Sequence, residues 1–245
     1  MLVYIPECEG QFPALVLIHG GGWAQGSPAG MAGLSNAYAA DGVMAFSLAY
    51  RLTTPERPTW PASVQDVVCA VRHIRVNADR YRIDPDRIGA WDGSAGAHLA
   101  GMIGTLEGDE PLLDGACGDP AVGHNVVLVV SRSGRLDLEV LGSEAIAAMP
   151  IVERFLGASY ADDPQRYHDA SPHTYLSADD PPFLIIHGTA EQTVPAVRAT
   201  SFAEQFEAAG GEVHVFLVEG GDHMVPNPAE ARAALDTLTR RLLRP

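Results

Sequence analysis

Cysteine is scarce. Cys8, Cys69 and Cys117, the three in 245 residues, are too few and too scattered for a disulfide framework or a CxxC metal clip. Sparse, odd cysteine usage points to free thiols, and Cys69, within an apolar helical stripe, reads as a small buried side chain. A Cys8 to Cys117 bridge stands as the alternative. Positive charge is scarce too: 16 Lys and Arg face 31 Asp and Glu, a formal net charge of −15. That balance disfavours nucleic acid and anionic membrane surfaces as partners. No uninterrupted apolar run reaches about 18 residues, so a membrane-crossing helix is not expected. MLVYIPECEG lacks a basic segment followed by an apolar one, so an export signal is not expected either. A cytoplasmic location and secretion after loss of a leader both fit. No internal repeat, low-complexity tract or Pro/Gly/Ser linker divides the chain, and one domain over residues 1–245 is expected.

What is present is alternation. ALVLIH (Ala14 to His19) and VMAFSLAY (Val43 to Tyr50) are short apolar runs of the kind that form buried strands. Ala29 to Ala40 between them suits a crossover helix. From Ala62 to Asn77 the residues Val64, Val67, Val68, Val71 and Ile74 make the stripe of an amphipathic helix. RIGAW (Arg87 to Trp91) reads as a strand and Ala95 to Ile103 as a helix. VVLVV (Val126 to Val130), FLIIH (Phe183 to His187) and VHVFLV (Val213 to Val218) read as further strands, with helices near Ile151 to Leu156 and Ala196 to Ala209. A last helix is announced by Asn227 as N-cap, Pro228 in the first turn and Glu230, ahead of Leu235, Leu238 and Leu242. Strands alternating with helices predict an α/β fold with a mostly parallel sheet covered on both faces. Such sheets place their sites at the carboxyl ends of the strands.

The conspicuous residues fall at those ends. Ser94, in WDGSAGAHLA, sits on a strand-to-helix turn that would hold its hydroxyl out of the sheet with the Ala95 N–H beside it. Taken alone, the same stretch also fits a serine that merely caps a helix. HGGGW (His19 to Trp23) lets backbone N–H groups converge without obstruction by Cβ, which suits a developing oxyanion. The competing phosphate-binding reading lacks a Walker-type Lys, and no GxGxxG is present. His223 in EGGDHM, after a predicted strand, is the candidate general base, because it falls late enough for the order serine, acid, histidine. His19 and His187 are expected to brace loops, and His98 to be structural. Glu191 in HGTAEQTVP is the candidate acid that orients the imidazole, with Asp137 and Asp222 as rivals. Paired-carboxylate glycosidase chemistry would leave the glycine triplet and the serine turn without a role.

Taken together, HGGGW, YRL with PERPTWPA, RYRIDPDRIGAW, SAGAHLA, the ASPHTYLSADDPPFLIIHGTAEQTVP run and the late GGDH resemble the α/β-hydrolase superfamily. The resemblance is to small esterases of the hormone-sensitive-lipase-like and bifunctional feruloyl/acetylxylan type, and it covers nearly the whole chain. It implies an α/β-hydrolase fold with Ser94 as nucleophile, Glu191 as acid and His223 as base. It also implies the N–H groups of Gly21, Gly22 and Ala95 as oxyanion hole, and no metal or organic cofactor. The expected substrate is a small-molecule ester, such as an acetyl or feruloyl ester of plant polysaccharide. Kynurenine formamidase-like cleavage of an aryl formamide, and a catalytically silent binding protein, are the alternatives. The chain departs from the family pattern in three ways. Asp92 stands two residues before the serine where glycine is usual, the acid is Glu rather than Asp, and LVYIP matches a strand normally preceded by more sheet. A shortened sheet would expose an edge able to pair two copies as a homodimer. No long lid segment is visible, and Trp23 and Met224, beside the two catalytic loops, are expected to line the pocket.

Overall fold

A computed structural model describes residues 1–143 and 149–223, the side chains of Asp92 and Met149 excepted. The helix expected from Asn227 onward lies outside those residues. Seven strands form one sheet: β1 (Leu2–Tyr4), β2 (Phe12–Ile18), β3 (Met44–Leu48), β4 (Ile83–Gly93), β5 (Val129–Arg132), β6 (Phe183–Gly188) and β7 (Val213–Val218). Their order is β1-β3-β2-β4-β5-β6-β7. Three-residue β1 pairs antiparallel to β3 at one edge, and all other pairings are parallel. The helices are α1 (Ala32–Ala40), α2 (Ala62–Val76), α3 (Ala78–Tyr81), α4 (Ala95–Thr105), α5 (Leu138–Ser143), α6 (Met149–Leu156), α7 (Pro164–Asp169) and α8 (Val197–Ala208). No helix among the described residues is long and apolar enough to cross a membrane.

The two-residue period of a strand explains why the apolar runs are continuous: each must satisfy both faces. Leu15, Leu17, Ala45, Trp91, Val130, Leu184 and Ile186 pack with Tyr38 of α1 on one side. Val16, Ile18, Phe46, Ala90, Val129 and Ile185 pack on the other with the apolar stripe of α2, with α4, and with Phe202 and Phe206 of α8. Every residue of α4 is buried. Small residues permit this, since a Cβ on Gly104 would come within 2.5 Å of Val129 Cγ2, and one on Gly101 within 2.8 Å of Leu136 Cδ2. Burial of Leu99, Met102 and Ile103 contributes roughly 1.5–3 kcal/mol apiece and anchors the helix that begins beside Ser94.

Two expectations need correction. Cys69 and Cys117 form a disulfide while Cys8 is free and exposed, so neither three free thiols nor a Cys8 to Cys117 pair is present. Cys69 is half-buried on α2 where the loop carrying Cys117 crosses it, a proximity across 48 residues that spacing does not reveal. The strand expected at Val126 to Val130 begins at Val129 and runs on to Arg132, and it pairs with both β4 and β6 from Val129. Val126 and Leu128 are buried just ahead of it, where Val127 N–H donates to Ile88 O and Leu128 O accepts from Ala90 N–H, both at 2.9 Å.

Candidate active site

The ends of β2, β4, β6 and β7 bring the expected residues to one edge. At the end of β4 the chain turns sharply, and Ser94 takes φ 58° and ψ −124°. A non-glycine residue held there costs about 1–3 kcal/mol and persists only because its surroundings over-determine it. Ser94 N–H donates to Arg132 O at 2.8 Å, and Gly20 lies so close beneath that a Cβ on it would sit 2.9 Å from Gly93 O. The Ser94 side chain makes no cap hydrogen bond to the helix, so the helix-cap reading of this serine does not hold. Its hydroxyl donates instead to His223 Nε2 at 2.9 Å.

His223 Nδ1 donates to Glu191 Oε2 in a very short contact, and the other carboxylate oxygen accepts the N–H groups of Thr193 and Val194. Two loops are locked together to make this happen. Ala190 N–H donates to Gly221 O at 2.9 Å and Thr189 N–H to Val218 O at 3.0 Å. A Cβ on Gly188 would lie 2.1 Å from Gly221 O, so only glycine permits the approach. The Glu191 side chain is fully buried. Burial alone would raise its pKa, but the Thr193 N–H, the His223 imidazole and the Val194 N–H more than offset this and hold it below the ordinary value. Asp137, the rival acid, is elsewhere: it accepts the Val140 N–H at 2.9 Å at the start of α5 and lies 3.5 Å from His173.

Gly21 (φ 112°) and Gly22 (φ 59°) use the left-handed backbone that the glycine triplet permits. Among the described residues the N–H groups of Gly21, Gly22 and Ala95 have no hydrogen-bond acceptor, and they border Ser94 at the head of α4. With no acceptor of their own among the described residues, they are available to an oxygen bound beside Ser94. A cleft of about 660 Å³ opens over them, lined in part by His19, Gly21, Gly22, Met31, Ile151 and Thr193 together with Ser94 and His223. Among the described residues, no cluster of His, Cys, Asp or Glu is placed to hold a metal ion.

Trp23 does not line this cleft. Its ring is fully buried beneath it, stacked on Phe155 at 4.3 Å, with Nε1 donating to His98 Nδ1 at 3.2 Å. The apolar surface of an indole is better satisfied in that aromatic stack than at a solvent-filled wall. Met224, the other expected wall residue, lies outside the described residues. His98, in turn, donates from Nε2 to Ala170 O at 2.8 Å, so it is neutral with a defined tautomer. Burial lowers its pKa to about 4 and does the same at His124. The unfolded chain therefore binds more protons than the native one between pH 6.5 and about 4, and stability falls as pH drops through that window. At about 1.4 kcal/mol per pH unit, roughly 3 kcal/mol per histidine is at stake. Calorimetric melts are expected to show Tm falling between pH 6.5 and 4, and His98→Gln to flatten that fall.

Two cleft residues were not anticipated. Arg135 is 2 % exposed and donates from Nη1 to Ser94 Oγ at 3.0 Å, with its guanidinium 5.5 Å from the centre of the Trp23 ring. Burial pushes its pKa down to about 10, partly countered by the charge of Glu191, so it stays cationic at neutral pH. Arg132, the last residue of β5, lines the same cleft with its guanidinium 5.2 Å from the Trp91 ring centre. The available signal was positional, since Arg132 ends a parallel strand and Arg135 follows just beyond its carboxyl end.

The sequence model of the BD-FAE family matches residues 1–206. Esterase LipC of Mycobacterium tuberculosis (strain ATCC 25618 / H37Rv) is 32% identical over 216 residues, covering 86% of this chain and 52% of LipC. The chain spans about half the length of the curated relatives it matches. Among solved structures, a truncated form of a carbohydrate esterase from gut microbiota superposes with a TM-score of 0.87 at 26% identity, covering 99% of this chain and 90% of that one. The thermophilic esterase Est2 of Thermogutta terrifontis superposes with a TM-score of 0.78 at 28% identity, covering 98% of this chain and 84% of that one.

Proposed function

We propose, from the premise that this chain belongs to the BD-FAE family and has the α/β-hydrolase fold, that it is a serine carboxylesterase acting through an acyl-enzyme. The observation that carries the reading is the unbroken relay from Ser94 Oγ through His223 to Glu191 at a serine forced out of the sheet by its own backbone. In that reading His223 Nε2 takes the hydroxyl proton as Ser94 Oγ attacks the ester carbonyl. The N–H groups of Gly21, Gly22 and Ala95 hold the oxyanion, and His223 returns the proton to the departing alcohol. Water, activated by the same imidazole, then frees the acid. Glu191 keeps the ring in the tautomer with a bare Nε2 and stabilises its cationic form.

The likeness to a carbohydrate esterase supports sugar-linked esters as the substrate class, with acetyl and feruloyl acyl groups as the candidates. A fluorophosphonate probe, followed by peptide mapping, tests the chemistry. The label is expected on Ser94 and is expected to vanish in Ser94→Ala. Turnover of 4-nitrophenyl acetate and methyl ferulate, with none of N-formylkynurenine, is the expected substrate pattern. An unlabelled, inactive but folded protein would leave a binding role in its place.

A further inference from the structure

The relay and the three backbone donors account for the hydrolysis of a neutral ester without any cation. Arg135 therefore has no task in it, yet a cation almost wholly removed from solvent is expensive unless paired. Its Nε and Nη2 have no hydrogen-bond partner among the described residues, and no described carboxylate lies within ion-pair distance of Arg135 or Arg132. Glu191, whose charge does attract Arg135, is already engaged by His223, Thr193 and Val194. No described Asp or Glu lines the cleft. In a chain of net charge −15, two guanidiniums with no carboxylate partner among the described residues line the cleft that holds the nucleophile.

We infer that Arg135 and Arg132 form a carboxylate-binding subsite, so that the preferred ester carries a carboxylate within a few bonds of its scissile carbonyl. The inference rests on the esterase reading above and adds the charge of the substrate to it. A guanidinium offers planar, paired donors that match a carboxylate. With Nη1 of Arg135 only 3.0 Å from Ser94 Oγ, a carboxylate captured there lies beside the reacting carbon. Such a capture would also draw Nη1 away from an oxygen whose lone pair is needed for attack.

The carboxylate can belong to the acyl or to the alcohol part, and two substrate pairs separate these. Monomethyl succinate is compared with methyl succinamate, and 4-acetoxybenzoate with 4-acetoxybenzamide. Each rate is followed by acid release in a pH-stat and divided by the ester's own hydroxide-catalysed rate. The full chain is expected to favour the charged member of at least one pair by about tenfold or more in kcat/KM, and that pair names the side. Arg135→Gln is expected to bring the ratio close to one, chiefly through KM of the charged ester. Arg132→Gln, at a half-buried position that tolerates change more readily, is expected to lower it as well. Charged-to-neutral ratios at or below one in both pairs, with Ser94 still labelled by fluorophosphonate and neutral esters still turned over, would overturn the subsite and leave the esterase reading intact. Loss of labelling and of all turnover would overturn both. Equal losses on charged and neutral esters in Arg135→Gln would also overturn the subsite and make Arg135 a general stabiliser of the transition state.

Discussion

Ser94→Ala and His223→Ala are each expected to lower kcat on 4-nitrophenyl acetate by about 10⁴-fold or more, with the double variant no worse than either alone. Their contact is the reason. The Oγ to Nε2 distance of 2.9 Å makes the hydroxyl and the imidazole one device, since attack needs the proton to leave as the bond forms. Removing either partner removes the whole step, so the second deletion finds nothing left to remove. What survives is the residual assistance of the backbone donors, which neither substitution touches. The comparison is read from single-turnover rates on the four proteins of the cycle. Losses that multiply in the double variant would mean that serine and histidine act independently, and the relay would have to be abandoned.

The second large effect is expected at Glu191. Its two oxygens are divided between tasks: one accepts the N–H groups of Thr193 and Val194, the other accepts His223 Nδ1–H. In Glu191→Gln a single carbonyl oxygen remains, and the two loop amides hold it. The amide NH₂ then faces Nδ1 as a donor, which favours the tautomer with hydrogen on Nε2. That nitrogen can no longer take the serine proton, and kcat is expected to fall by about 10³–10⁴-fold with KM little changed. Glu191→Asp keeps the charge but is one methylene short of spanning from loop to ring, so a smaller loss is expected. Stopped-flow acylation rates against pH measure both. A Gln variant within tenfold of the parent would show that the carboxylate does not set the ring's tautomer.

Much of the architecture was legible because burial on both faces of a parallel sheet leaves a continuous apolar signature. β2, β3, β6 and β7 fall within a residue or two of the runs that mark them, and α2 within one residue of its stripe. The short helices α3, α5 and α7 were not legible, since four to six residues hold too few turns for a periodic pattern. Ser94, His223 and Glu191 stood out because strand ends in a parallel sheet share an edge, and the structure brings all three into contact. The same rule applied to β5 would have reached Arg132 and Arg135, but Val126 to Val130 marks that strand too early and hides its end. The placement of Trp23 is hidden from the sequence for a different reason. Its place beside the glycines says which loop it belongs to, whereas the direction of its ring is decided by Phe155, some 130 positions later in the chain.

The aromatic stack under the glycine loop ties two properties that an engineer would wish to vary separately. Ile151 of α6 faces the cleft, while Phe155, one helical turn further on, is pressed flat against Trp23 and offers its carbonyl to the N–H groups of Thr59 and Trp60. Trp23 in turn holds Thr53 through its own carbonyl at 2.8 Å and directly follows Gly22. Shifting that helix outward to admit a bulkier ester would thus drag the floor on which the amide donors rest, and turnover would decline as the entrance widened. Enlargement that spares rate has to come from trimming Ile151 in place, with the helix left where it is.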